Sequence, residues 1–196
     1  MIRRIKASEF KNMLWKNGKG TTTQIFREPE TGDFDWRVSC ATVANDGPFS
    51  HFIGYDRSLS IINGNGMVVS VNDKPGITIT PVTPPFSFSG DHNTSAILID
   101  GPVLDFNVIY RRDKIVSHVQ RVVMQGTDRY LTSVRRGDEL LLYPYVGALH
   151  LSTSTQRMDT TEGDCYVING HGVVQLSTPP DPSPCSVFVV RVCRKE

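Results

Sequence analysis

The sequence has no long apolar run. No segment approaches the roughly 20 apolar residues needed to cross a bilayer, so no membrane partner is expected. Residues Met1 to Phe10 carry basic side chains with no continuous apolar stretch behind them, which argues against a secretory signal. A soluble, cytoplasmic protein is the expectation. Charge of one sign is missing too: 21 Lys and Arg stand against 20 Asp and Glu in 196 residues, without a basic block. No nucleic-acid footprint is visible, and no nucleic-acid partner is expected. The four cysteines, Cys40, Cys165, Cys185 and Cys193, include no C-x-x-C pair, which reads as reduced thiols in a reducing compartment.

Several chemistries are excluded in the same way. The glycine-rich Asn17-Gly18-Lys19-Gly20 lacks the full phosphate-loop pattern and a strand-to-helix setting, so it is not read as a nucleotide site. The five histidines, at 51, 92, 118, 150 and 171, form no H-x-H pair. That spacing would put two imidazoles on one face of a strand, and without it no metal and no cofactor are expected. There is no G-x-S-x-G elbow and no motif-defined carboxylate pair. Asp56 or Asp105 would serve as a base only if desolvated.

What the sequence does contain is a long series of short β patterns with almost no helical periodicity. Thr21–Phe26, Trp36–Val43, Leu59–Ile62, Met67–Val71 and Ile77–Thr80 are the first of them. Phe86–Phe88, Ala96–Ile99, Val116–Val123, Tyr130–Val134 and Glu139–Tyr143 follow, then Ala148–Leu151, Cys165–Ile168, Val173–Leu176 and Val187–Val192. Punctuated by Gly, Pro, Asn and Asp, this grammar predicts an all-β barrel or sandwich. Asn63-Gly64-Asn65-Gly66 reads as a hairpin turn. Gly90-Asp91, Gly137-Asp138 and Gly163-Asp164 read as further local turns.

The densest stretch is Phe34 to Arg57, FDWRVSCATVANDGPFSHFIGYDR. Alternation over Trp36–Val43 puts Arg37, Ser39, Ala41 and Val43 on one face and Trp36, Val38, Cys40 and Thr42 on the other. Asp46-Gly47-Pro48 predicts a bend. Aromatic residues Phe49, Phe52 and Tyr55 follow, then the charged pair Asp56-Arg57 before an apolar strand.

This order of residues resembles the HutD/Ves family, whose pattern has FDWR, an S-x-A pair, DGPFS and G-x-DR. Trp15-Lys16-Asn17-Gly18 with Gly20 and Thr21 is similar to the family's W-K-N-G-G-G-T block, with Lys19 where glycine is usual. Asp105-Phe106-Asn107 with Arg111-Arg112 matches its D-F-N-x-x-x-R-R block. The resemblance implies a bicupin, two jelly-roll-like barrels in one chain, and we place the division at Gly101-Pro102, giving units 1–101 and 102–196. It also implies a role linked to histidine utilisation or, through the Ves branch, to stress response. Urocanate and formylated or formimino derivatives of glutamate are then ligand candidates.

The candidate binding residues of the first barrel are Lys16, Asn17, Arg37, Ser39, Asp56, Arg57 and Asn107, with Trp15, Trp36, Phe49 and Phe52 as an apolar wall. Arginine suits a carboxylate because its planar fork donates two parallel hydrogen bonds, and neutral Asn and Ser fix orientation. The expected partner is therefore a small-molecule carboxylate. The competing structural reading pairs Arg37 with Asp56 or Asp46 to fix the bend, the aromatics being plain core. A cofactor-independent isomerase or hydrolase and a protein-interaction module are the functional alternatives.

Overall fold

The computed structural model describes residues 1–15, 20–180 and 183–195. Its strands are β1 (Ile2–Ile5), β2 (Lys11–Leu14), β3 (Gly20–Glu28), β4 (Trp36–Val43), β5 (Gly47–Pro48), β6 (Tyr55–Asn63), β7 (Met67–Val71), β8 (Ile77–Ile79), β9 (Phe86–Ser89), β10 (Thr94–Leu98) and β11 (Val103–Arg111). There follow β12 (Ile115–Met124), β13 (Arg129–Val134), β14 (Glu139–Val146), β15 (His150–Ser152), β16 (Arg157–Asp159), β17 (Cys165–Asn169), β18 (Gly172–Ser177) and β19 (Cys185–Arg194). One turn of 3-10 helix, Ala7–Glu9, is the helical content of the described residues.

The chain divides into two compact units, Phe10–Ile115 and Met1–Glu9 with Val116–Glu196. In the first, one sheet has the order β2-β3-β4-β11-β6-β9 and the other β5-β10-β7-β8. In the second, the orders are β1-β17-β14-β19-β12 and β13-β18-β15-β16. Counting eight strands from β4 in the first unit and from β12 in the second gives the same arrangement twice. Strands 1-8-3-6 form one sheet and 2-7-4-5 the other, a jelly roll of two Greek keys. The all-β, bicupin-like architecture expected from sequence is therefore present.

The division does not fall at Gly101-Pro102. β11 pairs along its length with both β4 and β6, and so completes the first unit. β1 is antiparallel to β17 and belongs to the second. Gly101, at a φ of 111°, is a turn inside the first unit that the sequence presents as a linker.

The Asn63–Gly66 turn also differs from its expectation. β6 and β7 do not pair; the turn carries the chain from one sheet to the other. Crossing between packed layers brings backbones together, and a Cβ on Gly64 would sit 2.5 Å from the Pro102 carbonyl oxygen, one on Gly66 2.3 Å from that of Ile79. The Gly-Asp turns likewise join strands of different sheets rather than hairpin partners.

The interiors of the two units differ. In the second, Leu140, Leu142, Tyr166, Ile168, Val187 and Val189 belong to one apolar cluster, each full burial contributing about 1.5–3 kcal/mol. In the first, Val43, Leu59, Ile61, Met67, Val69 and Ile79 of the two sheets form a comparable cluster, but the sheet of β4, β6 and β11 also turns Arg57, Asp105 and Asn107 out of solvent.

Gly66→Ala should cost about 3 kcal/mol or more, because a positive φ and a backbone collision act together. Gly32→Ala, at a φ of 73° with nothing within 4 Å, should cost only about 1–2 kcal/mol. Urea unfolding of both variants checks the difference, which vanishes if the close approach to Ile79 is unimportant.

Candidate functional site in the first unit

The site is set by strand register. β11 lies between β4 and β6, with Ile109 opposite Arg37 and Arg57, Asn107 opposite Ser39 and Leu59, and Asp105 opposite Ala41 and Ile61. Because side chains alternate faces, these three rows share one face of the sheet. Arg37 and Arg57, two strand spacings apart, have Cα atoms about 10 Å from each other. Thr22 of β3 extends the Asp105 row, being opposite Ala41.

This face forms part of a cavity of about 460 Å³, lined also by Met13, Leu14, Trp15, Pro48, Phe49, Ser50 and Phe52. The Trp15 indole N–H donates to Thr22 Oγ1 at 2.8 Å, which fixes that wall. Gly20 admits the indole, since a Cβ there would lie 3.0 Å from its ring carbons.

Both guanidiniums rest on aromatic faces. Arg37 lies 5.1 Å from the Phe34 ring centroid and 5.3 Å from that of Phe52. Arg57 lies 4.9, 5.5 and 5.0 Å from Phe49, Phe52 and Phe88. These distances are within the range of cation–π attraction. Yet both Nε atoms are buried without a hydrogen-bond partner, and among the described residues the one bond of the Arg57 guanidinium is a long 3.5 Å contact from Nη1 to the Ser50 carbonyl. Desolvation brings Arg57 down to about 10, with Arg37 adding to the fall and Asp105 opposing it. Arg37 is lowered by burial and then by Arg27.

Asp105 is 2% exposed. Its Oδ1 accepts a 3.1 Å bond from the Ala41 amide. Burial pushes its carboxyl up to about 7 against the pull of Arg57 and of that amide. With two guanidiniums charged and this carboxyl half-protonated near neutrality, the cavity holds an excess of positive charge. Asn107, one strand repeat away and 6% exposed, has a buried Oδ1 with no partner.

The loop bearing Phe49 and Phe52 is held from outside the cavity by Arg112. Its Nε donates to Asp56 at 3.1 Å, its Nη2 to the Tyr55 carbonyl at 2.8 Å and to Ser89 Oγ at 2.6 Å, and it pairs with Asp91. Asp91 in turn accepts from the Gly54 amide at 2.7 Å, and the Phe52 amide donates to the Gly90 carbonyl at 2.9 Å.

Of the residues expected in the site, Arg37, Ser39, Arg57 and Asn107 line the cavity, with Trp15, Phe49 and Phe52 in its wall. Asp56 does not: its neighbour Arg57 points in, so alternation sends Asp56 outward to Arg112. Trp36 is fully buried on the opposite face of β4, its ring centroid 4.4 Å from that of Phe26. Lys16 and Asn17 lie outside the described residues. Arg37 pairs with neither Asp56 nor Asp46; Asp46 Oδ1 accepts the Leu98 amide at 2.8 Å, and that bond ties down the bend.

Asp105 also lines the cavity but is absent from the expected binding set. Its motif was visible, and the signal lay in its spacing of two from Asn107 on one strand. All five histidines are exposed, and no group of three or more His, Cys, Asp or Glu suited to a metal occurs among the described residues. A second cavity, of about 380 Å³ in the other unit, is lined by Met1, Thr153, Asn169, His171 and neighbours, with no Asp, Glu, Lys or Arg.

The Asp105 shift fixes a pH dependence. An unfolded chain ionises this group near 3.8, the folded protein near 7. Between those values the folded state binds more protons, so stability falls as pH rises and the loss is complete above about 7. At 1.36 kcal/mol per pKa unit, Asp105→Asn should gain about 2–3 kcal/mol on wild type between pH 5 and pH 7.5. Urea unfolding at the two pH values measures it; a pH-independent difference would mean that Asp105 ionises normally.

The sequence profile of the HutD family matches residues 7–181. An uncharacterized 21.2 kDa protein in the hutC 3' region of Pseudomonas putida is 35% identical over 131 residues, 66% of this chain and 67% of that one. Protein Ves of Cronobacter sakazakii is 35% identical over 141 residues, 71% of this chain and 74% of its own. Among solved structures, HutD from Pseudomonas fluorescens SBW25, determined in a formate condition, superposes with a TM-score of 0.80 at 28% identity over 100% of both chains. No helix among the described residues is long and apolar enough to cross a membrane. A profile match over most of the chain and relatives of both names lead to one conclusion: this chain belongs to the HutD/Ves family.

Proposed function

We propose that the cavity of the first unit binds a small anionic metabolite, a carboxylate held by Arg37 and Arg57. One observation carries this reading: two guanidiniums line one cavity with buried, unpartnered Nε atoms and no ion pair to a described carboxylate. Leaving a buried charge without a partner is costly. A bound carboxylate offsets that cost with charge-assisted hydrogen bonds.

The hutC 3' region of the Pseudomonas putida relative supports an acid from histidine breakdown as the ligand, with binding serving a regulatory role in the cytoplasm. The four cysteines, none in a disulfide among the described residues and three of them buried, agree with a reducing compartment.

Asp105 favours a second reading. A buried carboxyl titrating near neutrality beside two cations is suited to proton transfer, as in a cofactor-independent isomerase that moves a proton α to the bound carboxylate. Deuterium from solvent would then enter the bound acid at carbon, followed by NMR, and Asp105→Asn would abolish the exchange. Binding without exchange leaves Asp105 as a binding group.

Isothermal titration against formate, glutarate, urocanate and formimino-glutamate tests the first reading. Arg37→Ala and Arg57→Ala should each weaken the bound acid by about 1.5–3 kcal/mol, or about 10- to 150-fold. Asp56→Asn should leave affinity within about twofold, since that carboxylate serves Arg112 outside the cavity. Unchanged affinity in folded Arg37→Ala and Arg57→Ala removes the carboxylate clamp.

A further inference from the structure

Asn63-Gly64 ends β6 and opens the crossover to the other sheet of the first unit. Asparagine is thermolabile, because the amide nitrogen of the next residue can attack its side-chain carbonyl carbon. A following glycine, with no Cβ, leaves that nitrogen unshielded. Three Asn-Gly steps lie among the described residues, at 63, 65 and 169, and their surroundings differ.

At Asn63 the two reacting groups are already in contact. The Gly64 amide donates to Asn63 Oδ1 at 2.8 Å and to no other described residue, so no ladder or turn bond holds it. The side-chain carbon lies one carbonyl bond beyond that oxygen, hence within about 4 Å of the nitrogen. A small side-chain rotation then brings the pair to near-attack separation. Asn63 is exposed, which admits water and lets ammonia leave. The strand is irregular here as well: the register of β6 against β11 shifts beside the Asn63–Leu104 pair. The other two steps lack this arrangement. Asn65 Nδ2 donates to the Asp100 carbonyl at 3.4 Å, and Gly66 is buried. Among the described residues no hydrogen bond joins the Asn169 side chain to the Gly170 amide.

We propose that Asn63 is a site of spontaneous covalent modification, with water as the only co-reactant. The Gly64 nitrogen gives up its proton to water and bonds to Asn63 Cγ, the Cγ–Nδ2 bond breaks, and the side-chain nitrogen leaves as ammonia. A five-membered succinimide results. Water then adds to one of its two carbonyl carbons and breaks the bond from that carbon to the ring nitrogen. The product is aspartate at this position or isoaspartate, in which the main chain runs through the side-chain carbon. Isoaspartate lengthens the backbone by one atom at a point with no room for it. A Cβ on Gly64 would already meet the Pro102 carbonyl oxygen at 2.5 Å and Val103 Cα at 3.0 Å. β6 carries Arg57 and is paired with β11 as far as Asn63, so the change loosens the unit that contains the cavity.

The test incubates the folded full chain at mildly alkaline pH, then digests it and locates each gain of one mass unit by fragmentation mass spectrometry. Conversion should appear at Asn63 before Asn65 and Asn169, run several-fold slower at mildly acid pH, and yield isoaspartate as well as aspartate. The isoaspartate fraction, separated by its added negative charge, should unfold at lower urea than fresh protein. Asn63→Gln, whose longer side chain closes a ring far more slowly, should keep its mass and its urea midpoint through the same incubation. The wild-type mass measurement stands by itself should Asn63→Gln fail to fold. Conversion first at Asn65 or Asn169, or none in the folded chain while the urea-unfolded chain converts, overturns the proposal. Isoaspartate at position 63 with an unchanged urea midpoint overturns the loosening of the first unit.

Discussion

Two arginine side chains on one face of one sheet, Arg57 buried and Arg37 half-buried, are the constraint around which the first unit is arranged. An unpaired guanidinium inside a protein is tolerated only where something replaces its hydration. Here the faces of Phe34, Phe49, Phe52 and Phe88 do so in part, and the rings must be held in place to do it. That requirement explains Arg112. By gathering Tyr55, Asp56, Ser89 and Asp91, it fixes the loop that carries Phe52, while the Asp46 bond to Leu98 fixes the bend ahead of Phe49. Arg112 outside the cavity is thus paired with carboxylates, whereas Arg37 and Arg57 form no ion pair among the described residues.

Duplication makes the point sharper. Both units use the same strand order, and the second fills its interior with Leu, Val, Ile and Tyr. An apolar interior is the simpler way to stabilise a jelly roll, and the cluster of the second unit follows it, although that unit also buries Glu139 and Asp164. The first departs from it at Arg57, Asp105 and Asn107. Architecture alone therefore does not produce the site; the polar side chains Arg37, Ser39, Arg57, Asp105 and Asn107 on the inner face of an ordinary sheet do.

Much of the fold was legible because exposure to water on one face leaves a period-2 record. β7 agrees with the sequence pattern to the residue and most later strands within a few residues; β4 agrees too, although it is largely buried on both faces, because its Trp, Val and Thr favour strands. β11 is absent from the period-2 pattern, although its Asp-Phe-Asn motif stands out in the sequence. It is buried on both faces through Val103–Ile109, so alternation is erased, and its Asp and Asn are residues that strands generally avoid. The missing strand also misplaced the boundary between units. Asn63–Gly66 misled for a related reason: a turn sequence specifies local backbone, whereas sheet membership depends on partners far along the chain.

By itself the sequence determined the class, the family and one face of the site, since Arg37 and Ser39 share a side of β4 by alternation alone. The choice between Asp56 and Arg57 was open to the same rule, but only once the inward residue of β6 was known, and that is set by pairing with β11. Tertiary structure alone decided that Trp36 is core, that Asp56 holds a loop, and that Asp105 and Asn107 face the arginines. Its physical reason is register: hydrogen bonds between β4, β11 and β6 bring together residues as distant in sequence as Trp36 and Tyr110, and no local pattern records which of them become neighbours.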